Sequence, residues 1–110
     1  MVRDANKMSM SPQWLEQAAE CLRVMAHPAR LRMIELLNRQ PCSVKEIAAY
    51  CSLPHNQACE HLRLMKSHGL LDAERDGQTV YYRLVAPQAM GLLHCLQQNC
   101  PEWNTASKKK

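Results

Sequence analysis

Six cysteines and five histidines lie among 110 residues, and they are the side chains best able to hold a soft metal or to meet an oxidant. His55 and Cys59 stand four apart on what reads as one helical face, half of a zinc or copper site. His94 adjoins Cys95 and is a further candidate ligand. Cys95 and Cys100 are five apart, about 140° out of phase on a helix, so they do not readily chelate one ion together. A second constellation is polar: His55, Asn56, Gln57, Cys59, Glu60, Arg63 and Lys66 crowd one side of a single segment. Asn and Gln can bond adenine through two hydrogen bonds and Arg can do the same with guanine, while Lys suits phosphate. The plainer alternatives are small apolar thiols and a solvated helix face. Glu60 counts towards the solvated face, because a carboxylate near phosphates costs energy unless a cytosine amine donates to it.

The stretch from Cys42 to Leu71 must position that polar face. Ser43 followed by Glu46 is a capping box, satisfying two otherwise orphaned backbone donors at a helix start. Val44, Ile47, Ala48 and Cys51 then form an apolar stripe. Ser52-Leu53-Pro54 breaks the pattern, since proline is tolerated only near the first turn of the next helix. Ala58, Leu62 and Met65 recur at i, i+4, i+7 and make a core face, and Gly69 closes the helix. Two short amphipathic helices joined by such a turn form a helix-turn-helix, whose second helix can enter the DNA major groove.

Around this unit, Ser11 caps a helix that opens on Pro12, with Leu15, Ala18, Ala19, Leu22 and Met25 on its apolar face. His27-Pro28 interrupts it. A second helix runs from Pro28 to about Asn38, burying Leu31, Ile34 and Leu37 and leaving Arg30, Arg32 and Arg39 outside. After Gly69 the period becomes two: strands Leu70 to Arg75 and Gln78 to Leu84 flank Asp76-Gly77, a strong hairpin signal. The tip, with Arg75, Gln78 and Thr79, is a wing able to reach backbone or minor groove, and Arg83 lies on its outer face. A last helix spans Pro87 to about Asn99, with Met90, Leu93, Leu96 and Cys100 apolar, and Pro101 stops it. Residues 1–10 read as a disordered lead, 11–100 as one DNA-binding and dimerisation domain, and 101–110 as a polar, basic tail.

The composition suits one helical domain. It is 46% hydrophobic, has no Phe, and carries a net charge of +4, which favours an anionic partner. No apolar run approaches the roughly 20 residues a spanning helix needs, and the start lacks a secretory h-region, so a cytoplasmic location without membrane is expected. In that reducing setting the cysteines read as free thiols, metal ligands or redox sites. No glycine-rich oxyanion loop accompanies any Cys–His pair, so the chain reads as non-enzymatic.

The runs MAHPARLRMIELL (Met25 to Leu37), SVKEIA…CSLPHNQACEHLRLMKSHGLL and ERDGQTVYYRL (Glu74 to Leu84) resemble the ArsR/SmtB family. Its members are small dimeric winged-helix repressors that sense metals, metalloids or redox species. The resemblance covers roughly residues 12 to 100 and implies a mainly α fold with a small β-hairpin (α+β). The implied winged helix-turn-helix runs helix-helix-helix-helix-strand-strand-helix, with a homodimer built by the first and last helices. The effector sites known in the family are incomplete here. Where metalloid sensors carry Cys-x-Cys-Asp this chain has Ser43-Val44-Lys45-Glu46, with Cys42 displaced by one. The early zinc-ligand positions of the last helix fall near Ala86, Pro87 and Gln88. Cys100 matches one partner of the family's redox pair, but Glu35 stands where the other would be.

The expected function is therefore a sequence-specific DNA-binding repressor acting as a homodimer on an inverted-repeat operator in double-stranded DNA. Ser43, Lys45, Lys66, Arg75 and Arg83 are expected on phosphates, and Asn56, Gln57 and Arg63 on bases. Cys21, Cys95, Cys100 and Cys42 are the thiols through which a metal, metalloid or oxidant would release it. The alternatives are a constitutive binder and a winged-helix module that takes protein instead of DNA.

Overall fold

Prolines and small capping side chains set where the helices begin. The computed structural model describes residues 10–103, so most of the expected disordered lead and most of the basic tail lie outside the described residues. Ser11 accepts a hydrogen bond from the Trp14 N–H at 3.1 Å and starts α1 (Pro12–Met25). His27 Nδ1 accepts from the Ala29 N–H at 3.0 Å and starts α2 (Pro28–Arg39). Then follow β1 (Cys42–Ser43), α3 (Val44–Cys51), α4 (His55–Ser67), β2 (Leu71–Asp76), β3 (Thr79–Leu84) and α5 (Pro87–Asn99). The expected capping box is formed: Ser43 Oγ accepts from the Glu46 N–H at 3.1 Å, and Glu46 Oε1 accepts from the Ser43 N–H at 2.9 Å.

Met33 and Ile34 of α2, Ile47 of α3 and Ala58, Leu62 and Met65 of α4 have no exposed surface. These three helices meet there. Leu70, Leu71 and Tyr82 lay the hairpin on this core, and Ala89 seats α5. The α3–α4 turn passes through Ser52 in the left-handed region at φ 56°, a conformation unusual for a residue with a Cβ. Gly69, at φ +80°, ends α4: its N–H reaches Lys66 O and the Leu70 N–H reaches Met65 O, both at 3.0 Å. That pair of bonds is a Schellman cap, and it turns the chain directly into β2.

Several expectations are corrected. The sheet has three strands in the order β1-β3-β2, because Cys42 and Ser43 pair antiparallel with Tyr82 and Tyr81. Asp76 pairs with Thr79, so the two-residue loop is Gly77-Gln78, one position later than expected. Gly77 takes the positive φ of +67° at the first loop position. Only Met25 of the expected α1 face is buried, joined by Val24. Leu15 and Leu22 remain about half exposed at 49% and 51%, because α1 meets the rest of its own chain at α4 near its C-terminal end. Arg30 is half-buried: it donates to Val24 O at 2.8 Å and to His61 Nδ1 at 3.1 Å. After α5 the backbone resumes a helical turn over residues 101–103.

Replacing Ser43 by Ala removes the acceptor for the Glu46 N–H. It is expected to lower the unfolding free energy by about 1 kcal/mol, read by chemical denaturation.

Candidate nucleic-acid interface

The core face of α4 decides what its opposite face displays. Asn56, Glu60, Arg63 and Ser67 follow one another at i, i+4, i+7, i+11 and lie diametrically opposite Ala58, Leu62 and Met65. All four are exposed, as are His55, Gln57 and Lys66 on the flanks. Ser67, absent from the expected set, spends its hydroxyl on Leu64 O at 2.8 Å. Cys59 is displaced inwards: it is half-buried against the core, so an outward contact or an exposed His55–Cys59 metal pair is not what the fold presents.

The two helix starts differ. Ser43 is buried, at 7% exposure, and its hydroxyl and N–H are both spent within the capping box. It therefore caps α3, which corrects its expected place on a phosphate. By contrast, the α4 N-cap is Pro54 and no side chain among the described residues closes that end. His55, Asn56 and Gln57 of its first turn are exposed, which leaves the positive end of the helix dipole at the surface. Lys45 is exposed on α3.

Arg75, Gln78 and Thr79 stand at the exposed hairpin tip. Arg83 is exposed on the outer face and donates from Nη2 to Asp72 Oδ2 across the ladder at 3.2 Å. Beneath α4, burial raises the Tyr82 phenol above its ordinary pKa; Cys59 adds to the effect and Arg63 opposes it. Arg32 of α2 lies over the Tyr50 ring of α3, 4.7 Å from its centroid, bracing the helix-turn-helix from behind.

The thiols divide differently from expectation. All six are free. Cys42, one of the thiols expected to meet an effector, is instead 4% exposed on β1, and its pKa is raised by burial and then by Glu46. Cys95 is exposed, and Cys21 is half-buried on α1. His94 is exposed. Among the described residues no group of three His, Cys, Asp or Glu side chains could hold a metal ion. A groove of about 770 Å³ lies between α2 and α5, with Leu31, Glu35, Cys51, Leu93 and Cys100 in its wall. Cys51, left out of the expected thiol set, thus shares a groove with Cys100; 49 residues of separation give no periodic signal for that meeting. Burial raises the Cys51 pKa, and Arg32 opposes the rise.

Residues 25–74 match the model of a helix-turn-helix domain. The chain is 33% identical over 91 residues to the transcriptional repressor SmtB homolog of Synechocystis, spanning 83% of this chain and 69% of that protein. The chain belongs to the ArsR/SmtB family. NolR from Sinorhizobium fredii superposes with a TM-score of 0.75 at 28% identity, over 84% of this chain and 96% of that one. A homodimeric winged helix-turn-helix DNA-binding domain from Mycobacterium bovis, described as a possible ArsR-family regulator, superposes with a TM-score of 0.71 at 28% identity. It covers 86% of this chain and 91% of that domain. The expected ArsR/SmtB winged helix-turn-helix is thus the fold observed, with one added strand. No helix among the described residues is long and apolar enough to cross a membrane.

Burial sets a reactivity order for the thiols of this repressor. Cys95 is expected to alkylate at least about tenfold faster than Cys42 in the native protein near pH 8, as read by peptide mass spectrometry.

Proposed function

We propose that the chain is a cytoplasmic, non-enzymatic repressor that binds an inverted-repeat operator as a homodimer, with α4 in the major groove of each half-site. The observation that carries this is the stripe Asn56, Glu60, Arg63 on the solvent side of α4, beside an N-terminus that no side chain among the described residues caps. Asn56, Gln57 and Arg63 read base edges in this account, and Glu60 accepts from a cytosine amine. Lys45, Lys66, Arg75 and the α4 amides hold phosphates, while Gln78 and Thr79 follow the backbone or minor groove. Arg83 adds a phosphate contact on leaving Asp72. A two-fold dimer through α1 and α5 covers Leu15, Leu22 and Leu96, which the single chain leaves about half exposed. That arrangement sets the two α4 helices about 34–36 Å apart, one DNA turn.

The groove supports a second element of the reading, release by a thiol-reactive effector. Cys51 joins Cys100 here as a thiol an effector could reach, since both line the groove that α2 and α5 border. A metal, metalloid or oxidant acts there only by binding the two DNA-binding states unequally. Operator affinity is expected to change with reductant, zinc, cadmium, copper(I) or arsenite, and Cys51→Ser with Cys100→Ser is expected to abolish the response. Indifference to all five marks a constitutive binder.

The groove assignment separates two mutants. Arg63→Ala is expected to cost roughly 1–3 kcal/mol at one base pair and to relax specificity there. Lys66→Ala is expected to weaken all sequences alike and to flatten the salt slope by about one unit. Equal effects of both on every sequence would remove α4 from the groove, and affinity for random duplex that ignores salt would favour a protein-binding module.

A further inference from the structure

Arg30 is the one side chain described above that ties three helices together. Nη1 takes Val24 O, a carbonyl in the last turn of α1, and Nε takes His61 Nδ1 in the middle of α4, while Arg30 itself lies in the first turn of α2. The His27 ring, at the α1–α2 corner, lies against the His61 ring with centroids 4.5 Å apart and planes tilted by 53°. His27 Nδ1 is already committed as acceptor for the Ala29 N–H. The nitrogen that faces Arg30 must therefore be an unprotonated His61 Nδ1, because a guanidinium donates and never accepts.

We propose that Arg30 and His61 form a positioning junction that fixes the α4 helix against the α1–α2 body, and that protonating His61 opens it and weakens operator binding. The proposal rests on α4 being the helix that enters the groove. Protonation puts a hydrogen on Nδ1, so an acceptor becomes a second donor, and a positive ring then faces the Arg30 guanidinium at 3.1 Å. The groups around His61 already disfavour that charge. Burial lowers its pKa from the ordinary 6.5, as do His27 and Arg30; Glu60, on its own helix, pulls weakly the other way. The neutral junction is thus complete above the ordinary imidazole value and is lost as pH falls through the depressed one.

The sign is diagnostic. A histidine that merely sits near DNA gains charge on acidification and tightens binding to phosphates. His61 does the opposite, because its charge breaks the link holding α4 in register with the dimer body. At the far end of α4, His68 Nε2 lies 3.2 Å from Glu20 Oε2, a second contact between that helix and α1.

The test uses the full chain and a duplex recovered from a random-sequence pool by selection on the protein. Affinity is measured at fixed ionic strength at about pH 7.5 and 5.5, with the fold checked by circular dichroism. The wild type is expected to bind about threefold to tenfold more weakly at the lower pH. His61→Asn, whose side-chain oxygen stands where Nδ1 does and accepts from Arg30 without titrating, is expected to keep wild-type affinity at the higher pH and to lose the acid response. A His61→Asn profile that still falls as in the wild type, or wild-type binding that tightens on acidification, overturns the proposal. An NMR titration of the free protein distinguishes the two ways of failing. A His61 imidazole titrating at or above 6.5 removes the junction itself; one titrating between the two test pH values with pH-independent affinity overturns its coupling to operator binding, and α4 leaves the groove only if Arg63→Ala also spares that affinity.

Discussion

Rotation of α4 about its own axis is fixed by three side chains that have no exposed surface, Ala58, Leu62 and Met65. A fully buried Leu or Met contributes roughly 1.5–3 kcal/mol relative to the exposed state. Turning the helix by one residue would expose that surface and push Arg63 and Lys66, or Gln57 and His61, towards Met33, Ile34 and Ile47. The base-reading stripe is thus the far side of a packing solution. Its direction follows from the core, and its chemistry is free to vary because none of those outward side chains holds the fold together.

The same core links the two parts that face a duplex. Gly69 closes α4 and delivers the chain into β2 without a loop, so the wing starts where the helix ends. β3, the central strand, pairs on one side with β2 and on the other with Cys42 and Ser43, the second of which caps α3. Helix, wing and the start of α3 are in this way parts of one hydrogen-bonded unit. Arg30 joins that unit to α1, whose exposed leucines belong to the face proposed for the partner subunit.

Features coded by neighbours in the chain are legible in the sequence alone. The Ser43–Glu46 capping box, the α4 core face and the glycine closing that helix each need only spacings of three or four residues. What escaped has no local signal. A two-residue strand has no period, so β1 emerges only from its partner β3. The Asp76-Gly77 pair drew the hairpin loop one residue early, whereas the ladder register makes Asp76 a paired residue. Arg30 looked like a solvated charge because its acceptors, Val24 O and His61, come from other helices. Cys51 looks like a core thiol in the sequence because a groove wall is a property of packing.

The strand order leaves β2 at a free edge. An open edge of this kind invites a strand from another molecule. Here Asp72, Glu74 and Asp76 occupy alternate positions along it, and an identical strand laid antiparallel with Glu74 opposite its own copy brings carboxylates opposite carboxylates. Molecules crowded side by side on neighbouring sites are thereby discouraged from zipping their hairpins into a shared, growing sheet.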